Sequence, residues 1–333
     1  MTSDGIRSKY QGKKALVTGG AGAIGSNLTR ALAEAGARVT VLDDLSSSYR
    51  WSVPDLPNVS FVQGSVLDDE ALKRVFMEGP EIVYHLAALF ANQNSLDHPE
   101  RDLEVNGKGT LKVLQFARLT GVDRVVYASS GCSVYGSKAP LPLTEDFLSI
   151  DLDTPYQITK LLGEMYCNFF SNYYGLKTVR ARFFNSYGPG EAPGRYRNVI
   201  PNFMFWALNR QPLPITGTGK ETRDWTYVGD IVDGLLRSGV MKEAVGEAFN
   251  LASGKETRVI DLAHWINDLT ENPAGVLYKE RRKWDTHSRR RAAVEKAGKV
   301  IGYAPSMDFQ KGLAETLRWF RDNWEQVSAS ASF

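Results

Sequence analysis

The sequence predicts an α/β protein built around a doubly wound parallel sheet. Short apolar segments alternate with helix-like segments, and a glycine-rich turn follows the first apolar segment. Strands of a parallel sheet are buried on both faces and read as apolar runs, and each successive pair needs a helical crossover. The alternation therefore indicates repeated strand–helix–strand units.

The first half of the chain carries the predicted strands. They are Lys14–Thr18, Arg38–Leu42, Val59–Gln63, Ile82–Leu86, Arg124–Ala128 and Thr178–Arg182. Ser26–Ala35 has the periodicity of a helix and is predicted to form the first crossover.

The regular alternation breaks after about Phe184, where glycine and proline gather. Helix-like segments resume at Asp230–Arg237, Val259–Leu269 and Gly312–Trp324. We therefore predict a sheet domain over residues 1–184 and a smaller mixed α/β domain over residues 185–333. An arrangement in which the two segments interleave stays open. Ligands of such folds bind at the carboxyl ends of the parallel strands, so the cleft between the domains is the expected site.

Composition excludes several classes of protein. The chain has 333 residues, 43% of them hydrophobic, and a formal net charge of +2, which does not favour a nucleic-acid binder. Cys132 and Cys167 form neither a disulfide framework nor a metal-ligand pattern. A polar N-terminus without a long apolar stretch leads us to expect a cytoplasmic protein, with no membrane partner. The basic run Lys279–Arg291 is interpreted mainly as solvated surface, with one or two members able to reach a phosphate.

The glycine-rich turn predicts a dinucleotide site. Gly19, Gly22 and Gly25 lie between the first strand and its helix, where they allow a tight turn and the approach of a pyrophosphate to backbone N–H groups. Asp43 ends the second strand, and a carboxylate there accepts hydrogen bonds from the adenosine ribose while repelling a 2′-phosphate. The cofactor predicted from these residues is NAD rather than NADP.

Tyr156 and Lys160 form the predicted catalytic pair. Their spacing of four places the phenol and the ammonium on one face of a helix. An unperturbed tyrosine has a pKa of about 10, and we expect a nearby Lys⁺, helped by the positive nicotinamide, to favour the phenolate as a general base.

These motifs resemble the extended short-chain dehydrogenase/reductase family, specifically its nucleotide-sugar epimerase/dehydratase branch. The resemblance covers nearly the whole chain and implies a Rossmann-type fold. The matching segments are TGGAGAIG at 18–25, Asp43–Ser46, His85–Ala88, VNGKGT at 105–110, Ser129–Gly136, the pair Tyr156 and Lys160, Arg182–Asn185, Tyr187–Pro189, Thr222–Trp225, Tyr227-Val228 and Asp230.

The resemblance also implies the residues of the site. The cofactor would contact Gly19, Gly22, Ala23, Ile24, Gly25, Asp43, Asp44, Ser46, Ser65, Val66, Leu86, Ala87, Ala88, Asn106, Ser129, Tyr156, Lys160 and Phe183. The substrate, a nucleotide-diphosphate sugar, would contact Gln93, Asn185, Val199, Ile215, Thr216, Arg223 and Arg282, with Ile215 and Thr216 lining the nucleotide base through backbone groups. Asn185 and Arg223 would hold the diphosphate, with Arg282 a further candidate, since an Arg fork can bind two phosphate oxygens. The alternative for Arg223 is an ion pair with Asp224.

The loop Ser129–Gly136 departs from the family pattern. The usual catalytic Ser/Thr position is Gly131, so another hydroxyl must serve; Ser133 is favoured and Ser130 is the other choice. Relatives that dehydrate the sugar carry an acidic pair at positions 132 and 133, and relatives that decarboxylate a sugar acid carry a glutamate at position 133; here the residues are Cys132 and Ser133. Cys132 is interpreted as a small buried residue, with proton transfer by its thiol as the alternative. Gly131 could require a backbone angle that only glycine adopts.

The resemblance therefore implies a nucleotide-sugar 4-epimerase with tightly bound NAD, acting on UDP-sugars by preference. A dehydratase, a 3,5-epimerase and a 4-keto reductase are the enzymatic alternatives, and an NAD-sensing regulator is the non-enzymatic one. Members of this family commonly pair through two helices, here about 153–174 and 106–120, so we expect a homodimer.

Overall fold

A seven-stranded parallel sheet organises the protein, whose computed structural model describes residues 2–333. The strands are β1 (Lys14–Thr18), β2 (Arg38–Asp43), β3 (Val59–Gln63), β4 (Ile82–His85), β5 (Arg124–Ser130), β6 (Thr178–Phe183), β7 (Asn185–Tyr187), β8 (Leu213–Thr216), β9 (Thr222–Arg223), β10 (Trp225–Tyr227), β11 (Ala248–Leu251), β12 (Thr257–Arg258) and β13 (Val276–Lys279). The sheet runs in the order β11-β6-β5-β4-β1-β2-β3, and three two-stranded pairs complete the list. The predicted α/β class is confirmed, and each predicted strand lies within two residues of its observed bounds.

Helices cover both faces of this sheet and build the rest of the molecule. They are α1 (Ser3–Arg7), α2 (Ala23–Glu34), α3 (Asp69–Met77), α4 (Asn92–Asp97), α5 (Pro99–Asp102), α6 (Thr110–Leu119), α7 (Pro155–Tyr174), α8 (Val199–Leu208), α9 (Val228–Val240), α10 (Val259–Thr270), α11 (Glu295–Ile301), α12 (Phe309–Asp322) and α13 (Trp324–Ser330). A π-helical turn, Leu103–Gly109, precedes α6. No helix within residues 2–333 is both long enough and apolar enough to cross a membrane.

The central strands of the sheet contribute to two cores. Ala15 and Val17 of β1 lie in one apolar cluster, whereas Leu16 between them lies in the other. Successive side chains of a strand point to opposite faces, so a strand covered on both sides is apolar throughout. A third cluster, which includes Phe203, Ile266 and Phe320, joins α8, α10 and α12 in the second half of the chain.

The second half of the chain also contributes to the sheet. Strand β11 pairs with β6 in parallel, with Leu251 beside Phe183, although the sequence predicted no strand there. Helix α9 packs against the same face as α2, since Leu235 and Leu28 share one cluster. The sheet therefore does not stop at residue 184, which is the interleaved arrangement left open above.

The ends of α7 are specified by its sequence. Thr154 is the N-cap and its hydroxyl accepts a hydrogen bond from the Gln157 N–H at 3.4 Å, while Pro155 occupies the first turn. Gly175 ends the helix with a φ of 71°, a left-handed conformation that glycine adopts without strain. This helix carries Tyr156 and Lys160 at its amino end, next to the carboxyl end of β5.

Candidate active site

A cavity of about 560 Å³ opens at the carboxyl ends of the parallel strands. The glycine turn after β1, the loops after β4 and β5, and the start of α7 form one side. Segments from the second half of the chain, including the loop before α8, form the other side. The volume lies within the usual range for a ligand site, about 300–1,000 Å³.

The glycine turn has the close packing that a phosphate cradle requires. A Cβ on Gly19, whose φ is 71°, would lie 2.6 Å from the Ala87 nitrogen, and one on Gly25 would lie 2.1 Å from the Gly19 oxygen. Only glycine fits either position. Gly22 caps α2 without any side-chain hydrogen bond, so the first N–H groups of a twelve-residue helix face the cavity. The turn therefore fits a pyrophosphate.

Asp43 lines the cavity and also holds the glycine turn. One carboxylate oxygen accepts the Ala21 N–H at 3.0 Å, and the other accepts the Leu45 N–H at 2.9 Å and the Ser48 hydroxyl at 2.7 Å. A carboxylate offers about four acceptor sites, so capacity for a ribose hydroxyl remains. Sequence reasoning did not include Ser48, which lines the same region.

Tyr156 and Lys160 lie together at the inner end of the cavity. The Lys160 ammonium donates to the Ala128 carbonyl at 2.9 Å and lies 5.7 Å from the centre of the Tyr156 ring. Burial raises the pKa of Tyr156, and the Asp102 carboxylate adds to the increase. Burial also lowers the pKa of Lys160 to about 8, against the opposing effect of Asp102. In the protein alone, desolvation therefore outweighs the predicted stabilisation of the phenolate by Lys160.

The loop after β5 places its hydroxyls as a linked pair. Ser133 donates to the Ser130 hydroxyl at 2.9 Å, and both residues line the cavity. Ser129 donates to Glu164 at 2.5 Å instead. The Cys132 thiol lies 3.4 Å from the Asn185 amide oxygen, and burial raises its pKa. A thiol with a raised pKa stays protonated at neutral pH, which argues against Cys132 as a proton acceptor, although its side chain is only half-buried and lines the cavity.

Gly131 is required by packing rather than by backbone angle. Its φ is not in the left-handed region, and a Cβ built on it would lie 2.0 Å from Cε2 of Phe184. The expectation of a special backbone angle is therefore wrong. The Phe184 ring occupies the space in which a side chain at position 131 would stand.

Most of the predicted substrate residues line the cavity. They are Gln93, Asn185, Val199, Thr216, Arg223 and Arg282. Arg223 forms an ion pair with Asp285 at 2.8 Å and not with Asp224, which is buried and accepts hydrogen bonds from Ser253 and Gly254. Gln93 accepts a hydrogen bond from Trp284 at 2.8 Å across the cavity.

Two predicted ligand residues lie behind the cavity instead. Asn106 is buried, accepts the Leu89 N–H at 2.8 Å and donates to Asp102 at 2.7 Å, so it holds the loop after β4. The side chain of Ile215 is buried in the apolar cluster of the second half of the chain, and its contact with the nucleotide through backbone groups stays a prediction. On an alternating strand, Thr216 faces the cavity and its neighbour Ile215 therefore faces the core.

Arg290 and His287 are cavity residues that sequence reasoning missed. Both lie within the basic run Lys279–Arg291, which was interpreted mainly as solvated surface. Both nevertheless line the cavity, and Arg290 is 4% exposed. Arg289 is exposed and Arg290 is buried, and nothing in the sequence around these two arginines indicates which of them is buried. Among residues 2–333, no group of three or more acidic, Cys or His side chains is arranged to hold a metal ion.

The fold and the site together define an NAD-dependent enzyme, in which a glycine-cradled dinucleotide site adjoins a Tyr-x-x-x-Lys pair. Residues 15–252 match the model of the NAD-dependent epimerase/dehydratase family. The chain belongs to this family.

Three similar proteins illustrate the relationship. The chain is 34% identical to a UDP-glucose 4-epimerase of Mycolicibacterium smegmatis, over 93% of this chain and 99% of that protein. The structure of an epimerase from Methanothermobacter thermautotrophicus has 59% identity and a TM-score of 0.99, covering 99% of this chain and 98% of that one. The enzyme WbmF of Bordetella bronchiseptica, solved with NAD⁺ and UDP, has 34% identity and a TM-score of 0.85, covering 97% and 96%.

Proposed function

We propose that the protein is a nucleotide-sugar 4-epimerase that retains NAD and favours UDP-sugars. The observation that carries this proposal is the composition of the cavity around Tyr156. A proton-transferring phenol is present, but the loop beside it offers the neutral groups Ser130, Cys132 and Ser133. Similarity to the UDP-glucose 4-epimerase of Mycolicibacterium and to the Bordetella enzyme solved with UDP supports UDP as the nucleotide.

The residues of the chain fit the chemistry of a transient oxidation. When bound, NAD accepts a hydride from the sugar and returns it. Tyr156 would take the proton of the sugar 4-hydroxyl and give it back, and the hydroxyls of Ser133 and Ser130 would hydrogen-bond the same oxygen. Since burial raises the pKa of Tyr156, its phenolate needs neighbouring positive charge, and Lys160 is the protein's contribution.

The absence of loop carboxylates separates this reaction from its alternatives. Dehydration and 3,5-epimerisation both move a proton at carbon, which needs an acid/base pair besides the tyrosine. Inversion at C4 needs only the proton on oxygen and a hydride returned to the other face. Asn185 and Arg223, with Arg282 at the mouth of the cavity, would hold the diphosphate while the sugar turns.

The experiment is conversion of UDP-glucose and UDP-galactose in D₂O by the purified holoenzyme, without added NAD(P)H. We expect both sugars to reach the same equilibrium mixture, with no deuterium incorporated at carbon. The reaction is followed by ¹H NMR, and Tyr156→Phe is the inactive control. Deuterium at C3 or C5 would indicate a 3,5-epimerase or dehydratase. Dependence on added NAD(P)H would indicate a reductase, and full NAD occupancy without conversion of any nucleotide sugar would indicate a sensor.

We also propose that the protein is a homodimer, formed through the outer face of α7 and the helix before it. Met165, Phe169 and Tyr173 follow one another at helical spacing and are 60%, 46% and 73% exposed. A large exposed apolar surface of this kind is typical of an interface. Met165→Glu should give a monomer by light scattering, whereas Met77→Glu, on exposed α3, should not. A wild-type monomer at all concentrations would contradict the proposal.

A further inference from the structure

Among the described residues, Arg290 is a buried cation without an ion-pair partner, since the acidic groups that act on it, Asp285 and Asp153, lie beyond ion-pair distance. Its side chain lines the cavity, and within residues 2–333 no carboxylate lies within ion-pair distance of it. Its hydrogen-bond partner is the Nε2 atom of His287, at 2.8 Å. The same Nε2 lies 2.9 Å from the Gly136 carbonyl, so it can serve one of these partners at a time. Burial and the neighbouring Arg290 lower the pKa of His287 to about 4, so His287 is neutral and brings no charge.

The charges of Arg223 and Arg282, the two arginines predicted to bind the diphosphate, are compensated. Arg223 is paired with the Asp285 carboxylate at 2.8 Å, and Arg282 is exposed to water. Arg290 has neither a paired carboxylate nor access to water, and the more distant Asp285 and Asp153 offset only part of the cost of burying its charge. Burial accordingly lowers the pKa of Arg290, although a guanidinium remains charged at any physiological pH.

Arg290 lies at the end of the cavity where the reaction occurs. Its partner His287 lies 2.9 Å from the Gly136 carbonyl, so the guanidinium lies beside the loop after β5. That loop also carries Cys132 and Ser133, which line the same cavity as Tyr156 and Arg290. Neither Cys132 nor Ser133 carries a charge, so this loop supplies no anion for Arg290.

We propose that Arg290 binds a carboxylate carried by the sugar ring, and that the preferred substrate is therefore a nucleotide uronic acid. This inference rests on the proposed epimerase function. A guanidinium binds a carboxylate through two parallel hydrogen bonds, and here the substrate brings the charge that the protein lacks. A sugar with a neutral hydroxymethyl group leaves the guanidinium buried and unpaired, and sites built for a polar group reject the analogue that lacks it.

The test compares UDP-glucuronic acid, UDP-glucose and UDP on the holoenzyme and on Arg290→Met. For the wild type we expect kcat/KM at least about 100-fold higher with UDP-glucuronic acid than with UDP-glucose. Arg290→Met should lose about 100-fold or more in kcat/KM and in affinity for the uronic acid, and little for UDP-glucose or UDP. Arg290→Lys should recover part of the uronic-acid activity, because it keeps the charge without the fork. Arg289→Met, at the exposed neighbouring position, is the matched control and should resemble the wild type.

Several outcomes would overturn the inference. If Arg290→Met reduces the affinity for UDP as strongly as the affinity for UDP-glucuronic acid, the residue binds the diphosphate. If the wild type converts both sugars equally, no carboxylate subsite exists. Folding of the variant is checked by its urea midpoint, and methionine, which removes a buried charge, should not lower it.

The inference and the proposed function fail in different ways. An enzyme that turns over UDP-glucose without preferring the uronic acid disproves only the carboxylate subsite. Arg290-dependent release of CO₂ from UDP-glucuronic acid supports the subsite but disproves epimerisation as the reaction. Arg290-dependent binding of UDP-glucuronic acid with no conversion of any nucleotide sugar likewise disproves only the enzymatic function.

Discussion

Adding a side chain at Gly131 tests how the loop after β5 is packed. A Cβ there would lie 2.0 Å from Cε2 of Phe184, whereas carbon atoms in contact are about 3.5 Å apart, so the ring would have to move by about 1.5 Å. Phe184 is 3% exposed and packs in a small cluster with Val134, Tyr135 and Leu143. Overpacking of this kind costs about 1–3 kcal/mol. We expect Gly131→Ser to lower the free energy of unfolding by that amount, even though it restores the hydroxyl usual in the family.

The assay is urea denaturation combined with the epimerase reaction. Phe184→Leu should relieve the clash, so the double variant Gly131→Ser/Phe184→Leu should show a favourable coupling of about 1 kcal/mol or more in a double-mutant cycle. Activity should follow the same order, because a displacement of about 1 Å next to a reacting group can cost about 10²-fold in rate. Gly298→Ser is the matched control, since its added Cβ would meet only an ordinary contact at 3.5 Å.

A Gly131→Ser variant with unchanged stability would contradict this packing of Phe184 against position 131. An unchanged urea midpoint with no coupling to Phe184 would show that the ring moves away freely. An increase in activity of the single variant would show that the missing hydroxyl, and not the ring, limits the reaction.

The remaining predictions concern proton transfer and cofactor choice. Tyr156→Phe should lower kcat by at least about 10²–10⁴-fold, Ser133→Ala by about tenfold to a hundredfold, and Cys132→Ala hardly at all. The reverse order for Cys132 and Ser133 would make the thiol an acid/base group. Lys160 is charged below its pKa of about 8 and neutral above it, so kcat/KM should fall as pH rises through about 8, and Lys160→Arg should move this fall to higher pH. NAD should be retained through purification and should bind more tightly than NADP by calorimetry. Asp43→Ala should reduce this difference in affinity between NAD and NADP, and it should also loosen the glycine turn, which Asp43 holds through the Ala21 N–H.

Local patterns predicted the sheet well because they describe local physics. The strand Lys14–Thr18 is apolar at every position that the two cores require, and a glycine turn follows it immediately. The short strand Ala248–Leu251 was missed because Asn250 interrupts its apolar residues, and the buried side chain of that Asn is satisfied by long-range hydrogen bonds to Leu143, Ala293 and Tyr135. Such bonds have no signature in the neighbouring sequence.

The site shows the same limit. Residues carried by the glycine turn and by α7 were predicted, since their motifs are contiguous and their spacing fixes their geometry. Asn106 was assigned to the cofactor, but its side chain is buried and holds the loop after β4. Arg290 was missed because burial of one member of a basic run depends on how that loop folds over β5, and spacing along the chain does not encode this.

The return of the chain to the sheet at β11 has a consequence for protein engineering. Strand β11 borders β6, and β6 leads directly into Phe184 and Asn185 of the cavity. A hybrid enzyme made by exchanging everything after residue 184 would therefore import a foreign edge strand beside its own reaction centre. Specificity is better transplanted as the two separate stretches 185–227 and 252–294, with α9 and β11 retained from the host, because this leaves every strand of the seven-stranded sheet with its original neighbour.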